Sequence, residues 1–127
     1  MATIKRLEDL EAWQEARRLC IGIYIITKTF PGSEKYNIVK HLRESARGTM
    51  GNIAKGFGRY FYKESMQFYD IAKGCLNEVK SDLYLSYDLK YINSKTLNKF
   101  IRQIEIVDNK INGLIYNTKI QLDKTNN

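Results

Sequence analysis

Apolar residues recur at three- and four-residue steps along nearly the whole chain and mark out four helical stretches. With Asp9 as N-cap, Leu10, Trp13, Ala16, Cys20, Ile23, Tyr24, Thr27 and Phe30 form the buried stripe of a first helix. Its second half, Leu19 to Ile26, is apolar around most of its circumference. A helix of that kind needs burial on two sides, against the core and against another subunit, although its β-branched residues equally favour a strand locally. Pro31-Gly32-Ser33 ends this stretch, since proline breaks helical hydrogen bonding.

Ile38, Leu42, Ser45 or Ala46, Thr49, Ile53 and Phe57 set the stripe of a second helix. Glycines stand at 48, 51, 56 and 58, and each costs about 1 kcal/mol against alanine inside a helix. The pattern predicts close approach of another backbone there, with Gly56 and Gly58 stopping the helix in left-handed conformations. A third helix is expected from Tyr62 to Tyr91, with Phe68, Ala72, Cys75, Val79, Leu83, Ser86 and Leu89 inward. Ser94 is the expected N-cap of a fourth, whose apolar positions run from Leu97 through Phe100, Ile104, Val107 and Ile111 to Leu122.

Residues 1–7 read as a short arm and 123–127 as a fraying tail, leaving one domain over 1–127. Four helices with short connections predict an all-α fold, an antiparallel up-down-up-down four-helix bundle, and the second apolar side of the first helix adds assembly into a homo-oligomer.

Composition narrows the function. The chain is 43% hydrophobic and 28% charged, which fits a soluble helical protein. No signal-peptide pattern and no membrane-length apolar run appears, which places the chain in the cytoplasm with no membrane partner. Cys20 and Cys75 stand in apolar contexts without a ligand pattern and read as reduced core residues. His41 is the sole histidine, too few for a triad or a usual zinc site. Without a phosphate-binding loop, a dinucleotide fingerprint or paired catalytic carboxylates, the chain is read as a non-enzyme with no catalytic residue, metal or cofactor.

The net charge of +7 is unevenly spread. Residues 32–60 carry six basic and two acidic groups and 93–127 carry six and three, whereas 61–92 carry four and five. Lys40, Arg43 and Arg47 recur on one face of the second helix, and with Lys55 and Arg59 they form a candidate strip for nucleic-acid phosphates. Lys99 and Arg102, with Lys110, form a second candidate strip on the fourth helix. The alternative is an ordinary solvated face, or pairing with Glu44, Glu78 and Asp82. Tyr60, Phe61, Tyr62 and Tyr69, beside Arg59 and Lys63, offer either stacking faces for unpaired bases next to cations that hold phosphate or, as the favoured reading, anchors for the third helix. Asn52, Asn77 and Glu78 are read as a structural polar network between the second and third helices, with Arg43 or Asn52 meeting Glu78.

Three spaced motifs carry a family resemblance. Leu10-Glu11-Ala12-Trp13-Gln14-Glu15-Ala16-Arg17 is followed by His41-Leu42-Arg43, Ala46, Asn52-Ile53-Ala54 and Gly56-Phe57-Gly58-Arg59, and then by Lys63-Glu64, Phe68, Ile71-Ala72, Gly74 and Leu76-Asn77-Glu78. The chain resembles the small four-helix-bundle proteins encoded in intervening sequences of bacterial 23S ribosomal RNA genes. That resemblance implies a homo-oligomer, a pentamer, with nucleic acid, RNA above all, as the ligand and no established enzymatic activity. A structurally similar group is the accessory variability determinants of diversity-generating retroelements, which implies as an alternative a scaffold recruiting a protein partner such as a reverse transcriptase. Two departures stand out. Met50 occupies a place where the family usually has proline, which softens any kink, and Lys55 stands where it usually has glutamate.

Overall fold

The apolar stripes fold as four helices in the computed structural model, which describes residues 4–125. They are α1 (Glu11–Thr27), α2 (Ile38–Phe57), α3 (Tyr62–Asp88) and α4 (Ser94–Thr125), with one-turn 3-10 segments at Leu7–Asp9 and Gly32–Glu34. No strand occurs among the described residues, and Leu19 to Ile26 lie wholly within α1. Of the expected arm, residues 1–3 fall outside the described residues; at the other end α4 takes in Asp123 to Thr125, where fraying is expected, and 126 and 127 again fall outside.

Each helix packs on its sequence neighbour, and α1 closes against α4. The centre is dry. Leu19 and Ile23 of α1, Leu42 and Ile53 of α2, Leu76, Val79 and Leu83 of α3, and Val107 and Ile111 of α4 are all essentially inaccessible to water. Truncating a leucine or isoleucine of this layer to alanine costs about 2–5 kcal/mol, the lost transfer energy plus the cavity left behind.

The tightest seam joins α2 to α3. Going down α2, His41 meets Asp82, Ser45 Oγ donates to Glu78 Oε2 at 3.1 Å, Gly48 faces Cys75, and Gly56 faces Tyr69. A methyl group on Gly56 would lie 2.5 Å from Tyr69 Cε1 and 3.0 Å from the Ser65 carbonyl oxygen, and one on Gly48 would lie 3.0 Å from Cys75 Sγ. Close approach therefore explains Gly48 and Gly56. It does not explain Gly51, where an added methyl would meet, among the described residues, no neighbour outside its own helix turn within 4 Å. Burial beneath α2 pushes the Tyr69 hydroxyl up to about 12.

Helix termini correct several sequence expectations. Asp9 lies in the 3-10 turn, and Leu10, with no side-chain cap, precedes α1. Neither Gly56 nor Gly58 is left-handed. Gly58 stays right-handed at φ −82° and donates to Ala54 O at 3.1 Å, Arg59 donates to Gly56 O at 3.3 Å, and the chain leaves by extending at Phe61. The left-handed stop falls instead on Lys90, at φ 65°. There Lys90 N donates to Tyr87 O and Tyr91 N to Ser86 O, both at 2.9 Å, so the carbonyls at the end of α3 are satisfied in a Schellman arrangement. That ends α3 at Asp88 rather than Tyr91. Asn93, not Ser94, caps α4, its Oδ1 accepting from Thr96 N at 2.9 Å. Finally, α2 runs unbroken through Met50.

Two loops meet at one end of the bundle. The Phe30 and Tyr91 rings lie 5.2 Å apart, and Tyr91 Oη donates to Glu34 Oε2 at 3.0 Å. This contact ties the α1–α2 connection to the α3–α4 connection.

Candidate nucleic-acid interface

The basic residues of α2 divide into an occupied N-terminal half and a free C-terminal half. Near the N-terminus, Lys40 Nζ lies 3.9 Å from Glu44 Oε1 on the exposed surface. His41 Nδ1 donates to Asp82 Oδ2, its Nε2 lies 3.4 Å from Glu78 Oε2, and Glu44 adds a third negative charge nearby. The hydrogen bond to Asp82, helped by these charges, raises the His41 pKa above its ordinary value.

Arg43 turns away from solvent towards α1. Its Nε donates to Thr27 Oγ1 at 2.9 Å, an outer guanidinium nitrogen reaches Tyr24 O at 3.4 Å, and the guanidinium lies 4.7 Å from the centre of the Tyr24 ring. Thr27 completes the chain of bonds by donating to Ile23 O at 2.7 Å. The planar, weakly hydrated guanidinium suits this place between a ring and a carbonyl. Arg43 thus joins α1 to α2, and the polar network predicted with Glu78 is built differently. Glu78 meets His41 and Ser45, Asn52 Nδ2 donates to Gly48 O of its own helix at 2.8 Å, and Asn77 is exposed. The reason is direction. Arg43 faces the α1 side of α2, whereas Glu78 reaches α2 from the α3 side.

Beyond Ser45 the acids run out. Arg47 and Lys55 are exposed and, among the described residues, form no ion pair. Arg47 lies close enough to Cys20 to oppose, in part, the upward push that burial gives that thiol. Arg59 follows at the helix end, its guanidinium 4.6 Å from the Phe68 ring, and Lys63 opens the next helix, both exposed and outside every ion pair of the described residues. The sequence sets Lys63 with Arg59 beside the aromatic residues, as cations able to hold phosphate, rather than in the α2 strip itself. Its membership depends on the short α2–α3 turn, which brings the end of one helix beside the start of the next.

On α4, Lys99 and Arg102 are exposed. Lys99 borders an apolar cleft of about 410 Å³ formed with Ile21, Gly22 and Ile25 of α1 and Phe100 of α4. Lys110 is already taken by Glu11, 2.5 Å away, which raises the lysine pKa and lowers that of the glutamate. Since α2 and α4 do not share one of the four main helix interfaces, the two strips stay separate within one chain.

The aromatic segment splits as well. Tyr69 is buried beneath Gly56, whereas Tyr60 is 88% exposed and Phe61 61% exposed. Anchoring thus describes Tyr69 and leaves Tyr60 and Phe61 open. Among the described residues, no group of three histidine, cysteine, aspartate or glutamate side chains is placed to hold a metal ion, and no helix is long and apolar enough to cross a membrane.

Among curated proteins no relative matches the chain. The family model for the 23S rRNA-intervening sequence protein matches residues 8–113. That span takes in α1, α2, α3 and most of α4, and with them all three sequence motifs and every candidate cation from Lys40 to Lys110. The chain belongs to the 23S rRNA-intervening sequence protein family.

Proposed function

We propose that this chain is a non-enzymatic, homo-oligomeric four-helix bundle that binds RNA through phosphate contacts from the C-terminal half of α2. The observation that carries this reading is the run of exposed cations, Arg47, Lys55 and Arg59, continued by Lys63, that form no ion pair among the described residues. Exposed cations gain little from surface acids but gain entropy by displacing counterions condensed on a polyanion. Lys40 and Arg43 contribute less, being engaged within the chain, and Lys99 and Arg102 supply a second patch.

The contact order along α2 and α3, descending on one helix as it rises on the other, supports an antiparallel up-down-up-down course. Assembly draws on α1, where Ile21 and Ile25 are 52% and 60% exposed beside the cleft at Phe100. A ring of copies, a pentamer, would cover these residues and repeat the α2 patch around its rim. Those isoleucines also favour a second reading, a scaffold whose apolar α1 face recruits another protein. Pull-down from nuclease-treated extract separates the two readings, because a partner that survives nuclease supports the scaffold.

Fluorescence anisotropy with a labelled RNA at low salt tests the leading reading. Arg47→Glu with Lys55→Glu should weaken binding at least about tenfold. Intact affinity in that variant, or no affinity in the parent chain, contradicts it.

A further inference from the structure

At the turn between α2 and α3, two large rings stand in water. Tyr60 and Phe61 pack edge to face, centres 5.1 Å apart and planes at 84°, which leaves most of both rings open. With Tyr62 and Lys63 from the start of α3 and Leu122 and Thr125 from α4, they line an open cleft of about 480 Å³. Nothing in the turn itself calls for aromatic side chains. The backbone stop is made by Gly58 and Arg59, and the core beneath is closed by Tyr69 against Gly56.

Charge identifies the occupant. From Lys55 to Lys63 the chain carries Lys55, Arg59 and Lys63 and no acid, and among the described residues none of the three forms an ion pair. An apolar protein segment docking on the exposed rings would gain nothing from Lys63 at the cleft or from Lys55 and Arg59 just before it in the chain. An unpaired nucleotide needs a ring face for its base and a cation for its phosphate, and this cleft presents both side by side.

We propose that Tyr60 and Phe61 form a stacking site for an unpaired nucleotide, with Lys63 at the cleft holding the adjoining phosphate and Lys55 and Arg59 extending the path along α2. The proposal rests on the RNA reading above and deepens it: the preferred ligand is single-stranded, since every base of a single strand can offer a face to the cleft, whereas a duplex hides all but its end pairs.

Two labelled probes test it by anisotropy, a twelve-nucleotide oligouridylate and a blunt RNA duplex of twelve base pairs. The parent chain should prefer the single strand. Tyr60→Ala with Phe61→Ala should weaken single-strand binding at least about fivefold and leave duplex binding unchanged, whereas Tyr60→Phe keeps the ring and the affinity. Both rings being exposed, thermal melting of the variant should match the parent. Equal affinity of the parent for both probes, an equal loss on both, or no loss on the single strand overturns the stacking site while leaving phosphate binding by α2 intact. A fall in oligomer mass by light scattering in the double variant also overturns it, because the rings would then be a subunit contact. Absence of binding to either probe by the parent overturns the RNA reading itself.

Discussion

Arg43 of α2 lies over the ring of Tyr24 of α1, its guanidinium carbon 4.7 Å from the ring centre, while its Nε donates to Thr27 Oγ1 at 2.9 Å. A cation that reads in the sequence as one of a surface trio is thus part of a helix–helix seam. Removing it leaves Tyr24 without its cation and Thr27 without a donor. Arg43→Ala should destabilise the fold by about 1–2 kcal/mol, measured by urea unfolding. Arg43→Lys should recover less than half of this, because an ammonium lacks the planar fork. At equal folded fraction, Arg43→Glu should reduce RNA affinity less than Arg47→Glu.

The glycines of α2 give a matched pair of opposite sign. At Gly56 an added methyl meets Tyr69 and a backbone oxygen of α3, so Gly56→Ala must push two helices apart and should cost about 1–3 kcal/mol or more. Gly51 faces open space within the same helix, and Gly51→Ala should stabilise by up to about 1 kcal/mol through helix propensity. Paired thermal melts check the signs. Destabilisation at both positions would mean that Gly51 is covered, as it would be in an oligomer interface.

Lys90 holds the left-handed position that ends α3, at φ 65°. A side chain there costs about 1 kcal/mol that glycine avoids. Lys90→Gly should therefore raise stability by a few tenths to about 1 kcal/mol, partly offset by the greater freedom of glycine in the unfolded chain. Urea midpoints at constant slope check this.

His41 makes stability depend on pH. Its pKa is raised in the folded chain by the bond to Asp82 and by Glu78 and Glu44, so folding favours the protonated form. The stabilisation is complete below the ordinary histidine value of 6.5 and is lost as pH rises through the higher folded value. The imidazole is half exposed, so solvent screening holds the contribution to about 0.3–1 kcal/mol. His41→Gln should flatten the fall in melting temperature of the parent from about pH 6.5 upward. An unchanged slope in that variant would assign the pH dependence to other groups.

Much of this fold is legible in the spacing of apolar residues, because a buried stripe repeats at every turn and four of them exceed any local ambiguity. The β-branched run of α1 is resolved only by its neighbours, since Ile23 must reach the core from the same helix as Leu19. Ends are harder. Asn93 and Ser94 are both acceptable caps, and the choice rests on one bond to Thr96 N. A left-handed lysine carries no compositional signal, so Lys90 is invisible where glycines draw attention. The candidate site is legible as to which helix is basic but not as to which cations are free. Whether Arg43 meets solvent depends on Tyr24, nineteen residues earlier in the chain.

If the exposed cations of α2 hold the phosphates of RNA, the slope of log affinity against log salt reports how many they hold. Anisotropy titrations of a labelled single-stranded RNA from about 50 to 200 mM salt should give a slope of about −2 or steeper, about 0.7 for each phosphate held. Lys55→Gln and Arg47→Gln should each make it shallower by about that amount. A slope near zero, or one that neither substitution alters, would contradict phosphate binding by α2.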